Sequence, residues 1–354
     1  GEIEGFLAIL EDRLMEFKEI EFRGMTLTEE DLIQLFYYKF TETPLLKRMD
    51  AVKDYFIDSW ETLKGRNISE DDQEMLQMKF DKMYTTKDIY TIYNWMLDDC
   101  GCDLLPEVPY EKRKLPYEDV FPMLYLKYRL SGGNSTHKNI KHLVIDEMQD
   151  YTYLQYTILE SLFHCRMTIL GDRAQTLDTK QQDVLRFLPK LLGREIRTIE
   201  IKKSYRNTLE IARYAEKVSG VSDLELLDRH GKEVVEKTFN TDTELLDELV
   251  CHLKCPGDFE TAALITTTEE EAFDLSRLLK LRGINVSYVD RNSSTFKKGL
   301  TVTTFYLAKG LEFDQVFALR GAKENPLKNQ AEYICATRAL HELYVYEIAD
   351  SLSK

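Results

Sequence analysis

The stretch Lys141 to Thr152, KHLVIDEMQDYT, decides how the rest of the chain is read. Leu143, Val144 and Ile145 form a short apolar run that stops on Asp146, Glu147, Gln149 and Asp150. A buried parallel strand has this form: an apolar run, flanked by helical pattern, whose carboxyl end presents polar groups. Ligands of open α/β sheets sit at strand carboxyl ends, so adjacent carboxylates there suit a nucleotide site. One acid can hold Mg2+, directly or through water, and the next can orient a hydrolytic water. The plainer alternative is a strand leading into an acidic helix N-terminus, where Asp and Glu complement the dipole.

Downstream of this stretch, helices alternate with short strands, the pattern of a parallel α/β sheet. Tyr156 to Phe163 reads as a helix and Met167 to Leu170 as a strand. That strand runs out into Gly171-Asp172-Arg173-Ala174-Gln175, a small-residue turn with Gln175 as a polar reader at its mouth. A strand is predicted over Arg197 to Ile201, followed by Lys202 to Asn207 and a helix from Thr208. Further strands are predicted at Ala262 to Ile265 and Val286 to Val289. Between them lies a helix from Glu269 to Leu281, with Thr267 and Glu270 as its capping box. Thr301 to Thr304 is a strand entering Phe305 to Asp314. The last helix carries Tyr333 to Leu340, and Leu343 to Ile348 is the final strand.

Upstream, residues 1–130 are mostly helical in pattern. Thr28-Glu29-Glu30-Asp31 and Ser69-Glu70-Asp71-Asp72 each place a capping residue and first-turn acids before an apolar run. Pro106 and Pro109 interrupt the pattern and mark the expected boundary. A helix from Tyr117 to Leu130 ends at Ser131-Gly132-Gly133-Asn134-Ser135, an expected flexible loop.

With 354 residues, 43% hydrophobic and 31% charged, the chain is expected to be globular, cytoplasmic and divided into two or more domains. No apolar run approaches the roughly 18 residues that span a bilayer, so no membrane partner is expected. The first residue is Gly, which reads as the start of a piece of a longer chain. Cys251, His252 and Cys255 lie close together, but no second ligand pair stands at zinc-site spacing, and free thiols are the expectation. Residues 1–110 hold 25 acidic against 12 basic side chains, a net −13 that leaves −2 for residues 111–354. Such a balance argues against non-specific nucleic-acid affinity through the bulk charge, which needs cations along the phosphates. The acidic helical segment reads either as a solvated surface or as an arm that occupies a basic channel of a partner.

Five stretches in order carry a resemblance. IDEMQD (145–150), GDRAQ (171–175), KSYRN (203–207), TFYLAKGLEFD (304–314) and ICATRAL (334–340) resemble motifs II to VI of superfamily 1 helicases of the UvrD/Rep type. SYRN, the Tyr306 version of the fifth motif, and TRALH are most similar to the helicase IV/HelD branch. The resemblance covers roughly residues 115–354 and implies an α/β fold of RecA-like parallel-sheet domains. One would be partial (111–197) and one complete (198–354), after an N-terminal, mostly helical segment (1–110).

The resemblance also implies roles. Asp146 would hold Mg2+, and Glu147 would be the base that positions the attacking water. Gln175 would sense the γ-phosphate. Tyr205 would stack on the adenine, with Arg206 reaching the γ-phosphate and Arg338 as a second arginine finger. Glu312 would bind the ribose, with Gly310 beside it among the nucleotide-binding positions. Thr304, Tyr306 and Lys309 are candidates near the nucleic-acid path. Phosphoryl transfer needs charge neutralisation more than covalent chemistry, and arginine reads phosphate bidentately, so these residue types suit the task.

Three departures bound the expectation. The sequence contains no G-x-x-x-x-G-K-[ST], and the glycine-rich LSGGNSTHK (130–138) lacks that spacing, so this chain alone should bind ATP poorly and hardly hydrolyse it. Fewer than a hundred residues separate Arg206 from Thr301, which leaves no room for the domain that UvrD-type enzymes insert there. Tyr306 stands where those enzymes carry His. The expected protein is the carboxy-terminal part of an ATP-dependent helicase or translocase with ATP and Mg2+ as cofactors. Its partners would be single-stranded or duplex DNA and RNA polymerase, on which HelD-like proteins act. The alternatives are a non-catalytic helicase-like scaffold, and a DNA-repair helicase with no polymerase partner.

Overall fold

The structure, a computed structural model, describes residues 2–133, 139–177, 184–193, 196–221, 224–254, 259–293, 298–321 and 326–349. Asn134, Ser135 and Cys255 lie outside the described residues. The chain forms two compact units, the first of residues 1–143 and 152–167 and the second of residues 144–151 and 168–354.

The first unit is helical, as its pattern requires, with one short hairpin that the pattern does not announce. Helix α1 (Glu2–Leu14) buries Phe6, Leu10 and Leu14, one apolar stripe at i, i+4 and i+8. Strands β1 (Ile20–Phe22) and β2 (Met25–Leu27) pair antiparallel and lead into α2 (Glu29–Gln34). At its start, Thr28 and Asp31 form a reciprocal capping box. Helix α3 (Arg48–Lys64) buries Met49, Val52, Phe56 and Trp60 and ends at Gly65 in the left-handed region. Helix α4 (Glu70–Asp81) is capped by Ser69. Helices α5 (Ile89–Asp99), α6 (Tyr117–Ser131) and α7 (Tyr153–Leu162) complete the unit, which includes Pro106 and Pro109. The apolar faces of α1 to α6 share one core around Leu10, Phe36, Phe56, Trp60 and Phe80.

Strands β3 (His142–Ile145) and β4 (Arg166–Ile169) form a two-stranded pair. Beyond them the second unit comprises α8 (Val184–Leu192), β5 (Lys203–Ser204), α9 (Leu209–Ser219), β6 (Glu225–Leu226), β7 (Val235–Phe239) and α10 (Asp242–Lys254). It continues through β8 (Thr261–Thr266), α11 (Glu269–Leu281), β9 (Ser287–Tyr288), β10 (Gly299–Thr304), β11 (Phe313–Arg320), α12 (Lys328–Arg338) and β12 (Ala339–Ile348). Six of these strands make one sheet in the order β7-β12-β11-β8-β10-β9, parallel throughout. The fold class is therefore the expected α/β, a parallel sheet with helices.

Strand periodicity sorts the core into two faces. Ala263, Ile265, Val316, Ala318, Leu343 and Val345 pack with α9 and α12. Leu264, Phe317, Tyr344 and Tyr346, the intervening positions, pack with α10 and α11. Both faces are covered, which is why β8 and β11 are near-continuous apolar runs rather than alternating ones.

Two local expectations are corrected. No strand forms over Arg197 to Ile201. Ile199 and Ile201 are 68% and 81% exposed, so the alternating run finds no core to bury its apolar face. The short strand begins two residues later, where Lys203 and Ser204 pair with Glu225 and Leu226. The capping box of α11 is Thr268 with Glu271 rather than Thr267 with Glu270. Three adjacent threonines followed by three glutamates satisfy the same spacing in three registers, and the structure takes the last.

Candidate nucleotide site

The site lies wholly within the second unit, where four loops and one helix end converge. The first loop follows β3. Asp146 Oδ1 accepts from the Glu147 amide at 2.8 Å. Glu147 itself adopts φ 53°, ψ 47°, the left-handed region that a non-glycine residue enters at a cost of about 1 kcal/mol or more. What holds it there is visible. Gln149 Nε2 donates to Glu147 Oε2 at 2.7 Å, and Gln149 Oε1 accepts from the Asp172 amide at 3.1 Å. The backbone is pinned as well: Leu170 N donates to Ile145 O and Met148 N to Leu170 O, each at 2.8 Å.

The second loop follows β4 and explains its glycine. A Cβ on Gly171 would lie 2.5 Å from Gln149 Oε1 and 2.7 Å from Met148 N, so only glycine lets the two loops approach. Asp172 caps the next turn through Ala174 N, accepts from Gln175 Nε2 at 2.8 Å and accepts from the Tyr333 hydroxyl at 2.9 Å. Burial, and then the charge and hydrogen bond of Asp172, push the Tyr333 phenol above its ordinary pKa.

The cations arrive from the other side. Arg338, at the end of α12, is 3% exposed and donates to Gln175 Oε1 and Leu311 O, each at 3.3 Å. Burial and then the nearby Arg206 lower its pKa, while Glu147, Glu312 and Asp172 oppose the fall. Arg206, before α9, is half exposed and pairs with Glu312 through Nε at 2.6 Å. Asn207 beside it is buried, donating to the Ala336 and Ala339 carbonyls at 3.2 and 2.6 Å.

These groups line one cleft of about 380 Å3 bounded by Asp146, Glu147, Gly171, Asp172, Gln175, Arg206, Gly310, Glu312 and Arg338. An adjoining recess of about 330 Å3 is lined by Lys203, Ser204, Tyr205, Asn207, Tyr333 and Thr337, and shares Asp172, Gln175 and Arg206. Tyr205 is 62% exposed at its edge, a ring free to stack. Every residue that the sequence assigns to catalysis or nucleotide binding thus lies in or beside this cleft.

The three nucleic-acid candidates are placed differently from one another. Thr304 is buried at the end of β10. The Tyr306 hydroxyl donates to Glu269 Oε1 at 2.9 Å. Lys309, nearly buried, donates to Asp150 at 2.6 and 2.8 Å and to the Gln175 carbonyl at 3.2 Å, and lies 3.4 Å from Glu147. Sequence reading gave no separate role to Gln149, Asp150, Asp172, Asn207 or Tyr333. The first four stand inside the quoted motifs. Tyr333 is 161 positions from its partner Asp172, a distance over which spacing carries no signal.

Chemically, the cleft opposes a carboxylate wall to two guanidinium groups. Among the described residues no group of three or more His, Cys, Asp or Glu could hold a metal ion. Mg2+ in nucleotide sites takes one or two carboxylates and completes its shell with phosphate oxygens and water, so Asp146 as a protein ligand fits that chemistry.

No family model and no curated protein matches the sequence. Solved structures are similar in part. The C-terminal domain of a possible DNA helicase from Lactobacillus plantarum WCFS1 is 25% identical with a TM-score of 0.34, over 42% of this chain and 89% of that one. The helicase of PRRSV is 16% identical with a TM-score of 0.35, over 73% and 45%. Arterivirus nonstructural protein 10, a helicase in complex with DNA, is 18% identical with a TM-score of 0.24, over 33% and 28%. This chain spans less than half the length of either viral helicase. TM-scores this low decide nothing about function, which is left to the side chains in the cleft. No helix among the described residues is long and apolar enough to cross a membrane.

Proposed function

We propose that the second unit binds a nucleoside triphosphate with Mg2+ and belongs to an ATP-driven helicase or translocase of superfamily 1. The observation that carries the reading is the convergence of Asp146, Glu147, Gln175, Arg206, Glu312 and Arg338 on one cleft from five separate stretches of chain. In this reading Asp146 holds the cation, which would neutralise phosphate charge when bound. Glu147, held rigidly by Gln149, accepts a proton from an attacking water. Arg206 and Arg338 meet the phosphate oxygens, and Gln175, bonded to Arg338, reports the phosphate to the sheet. Tyr205 stacks on the base, and Glu312 leaves Arg206 for the ribose as phosphate takes its place.

The reading extends to movement along DNA, and to RNA polymerase as a partner approached through the acidic first 110 residues. A second reading, a nucleotide-silent scaffold, is favoured by one observation. A chain amine, Lys309, already neutralises Asp150 beside Glu147.

Binding of a fluorescent ATP analogue to the whole chain with Mg2+ separates the two. Saturable binding weakened roughly tenfold or more by Arg206→Ala and by Arg338→Ala supports the nucleotide site. Binding that ignores both substitutions, or none even at analogue concentrations high enough to reveal the weak affinity expected without a phosphate loop, sinks it and promotes the scaffold. The polymerase partner is tested by asking whether the whole chain competes with DNA for RNA polymerase.

A further inference from the structure

The turn that carries Tyr205 and Arg206 is gripped by a distant loop, Leu227 to Gly231. Arg229 is the centre of the grip. Its Nη1 donates to the Arg206 carbonyl at 3.0 Å, and its own carbonyl accepts from Leu209 N at 2.8 Å. The second bond satisfies one of the amides that the first turn of α9 leaves without a helical partner. Its neighbours bind the same helix start. Gly231 N donates to Glu210 Oε2 at 2.8 Å, and His230 Nδ1 lies 2.9 Å from Glu210 Oε1. A Cβ on Gly231 would fall 2.5 Å from Thr208 Cγ2, so the loop is seated directly on the residue that begins α9.

The other arm of Arg229 reaches the sheet. Nη2 lies 2.8 Å from His341 Nδ1 on β12. A guanidinium can only donate, so Nδ1 accepts and the ring proton sits on Nε2, 3.7 Å from Asp314. The His341 ring is itself stacked on Phe259. Asp314 accepts in turn from the amides of Glu260 and Thr261 at the start of β8. Hydrogen bonds therefore run from the Arg206 backbone through Arg229 to His341 on β12, whose ring faces Asp314 of β11 on its far side.

We propose that Arg229 is a positioning residue for Arg206: by tying the Arg206 carbonyl to His341 of the sheet it fixes how the Arg206 guanidinium enters the cleft. The role in phosphate binding rests on the nucleotide reading of that cleft, whereas the brace itself does not. Arg206 needs it because its own side chain is half exposed and, among the described residues, is shown paired with Glu312, so its direction depends on backbone held from behind. Lysine cannot reproduce the brace in full, since one amine lacks the planar fork that serves two acceptors in different directions.

The test uses the whole chain and two readouts. The Arg206 Nε–H signal in nitrogen-15 NMR, assigned by its loss in Arg206→Lys, reports the ion pair with Glu312. Arg229→Ala should broaden or erase it, Arg229→Lys should restore part of it, and Arg213→Ala, on the exposed face of α9, should leave it alone. Affinity for the fluorescent ATP analogue should fall roughly tenfold in Arg229→Ala and recover in part in Arg229→Lys. An unchanged Arg206 signal in Arg229→Ala overturns the brace. A lost signal with nucleotide affinity unmoved even by Arg206→Ala leaves the brace standing and removes the nucleotide reading. Should Arg229→Ala fail to fold, Arg229→Gln and Arg229→Lys give the same graded comparison.

Discussion

Lys309 Nζ lies 2.6 Å from Asp150 Oδ2, and the same amine is 3.4 Å from Glu147 Oε2. It is 8% exposed, against 41% for the Glu147 side chain and 34% for Asp150. A chain cation thus sits between Asp150 and Glu147, next to the Asp146 that the proposed function assigns to a divalent ion. Lys309→Met removes it and leaves two partly screened acids facing one another. The expected cost is roughly 1–3 kcal/mol of stability in the second unit. Added Mg2+ should then raise the melting temperature of the variant more than that of the wild type, because the cation takes over the amine's task. Equal Mg2+ responses in the two proteins would show that the carboxylates are not a divalent site.

Glu147 gives the second prediction. Its left-handed backbone costs about 1 kcal/mol, and its bond from Gln149 contributes a similar amount in return. Glu147→Gly relieves the first and forfeits the second, so stability should stay within about 1 kcal/mol of wild type. The side chain that would take the water's proton is nevertheless gone. On the proposed nucleotide reading, near-normal melting with nucleotide hydrolysis lost is the expected pair of results. A large loss of stability would mean that the carboxylate is structural.

How much of this was legible in the sequence depends on the range of the interaction. Ile145 to Asp150 announces a strand end and its acids because apolar run and polar stop are adjacent. The helix starts at Thr28, Ser69 and Thr208 were equally local. The slip between Thr267 and Thr268 arises because spacing alone cannot rank identical registers. The missed strands β7 and β11 and the false one at Arg197 to Ile201 share a cause: a strand exists only if a neighbour pairs with it, and that neighbour is distant in sequence. The same limit hid Asp172–Tyr333 and Arg229–Arg206. The acids and arginines of the motifs line one cleft, but the motifs gave no hint that Lys309 would lie against Asp150.

The Glu210–His230 contact carries a pH dependence whose sign is fixed. Its hydrogen bond to Glu210, and then the charge of Asp228, raise the His230 pKa above its ordinary 6.5. The same bond holds Glu210 down at about 2, against an ordinary 4.5. A raised histidine contributes stability fully below 6.5 and loses it as pH climbs through the folded value. A depressed carboxylate contributes above 4.5 and loses it as pH falls toward 2. The brace around α9 is therefore firmest between about pH 4.5 and 6.5. Melting curves of wild type and His230→Gln should differ most in that window and converge as pH rises through the raised histidine value. A gap that stays constant across the range would assign the difference to packing rather than to charge.

Asn207 supplies the last prediction, and its two bonds decide the sign. Its amide nitrogen donates to Ala336 O, which also accepts from the Ala339 amide, and to Ala339 O just past the end of α12. Asn207→Ala removes both side-chain bonds from this buried helix end and should cost about 1–3 kcal/mol. Asn207→Asp is the harsher change despite its near-identical shape, because it sets a carboxylate against two carbonyl oxygens in a buried position. The order of stability should be wild type, then Ala, then Asp, read from denaturant unfolding. Since Arg338 is the last residue of α12, loosening this end should also weaken ATP-analogue binding more than any equally destabilising change in the first unit. If the two substitutions proved equal, the side-chain oxygen would have to find another donor, and the bonds to α12 would not be what fixes Arg206 and Arg338 on the same cleft.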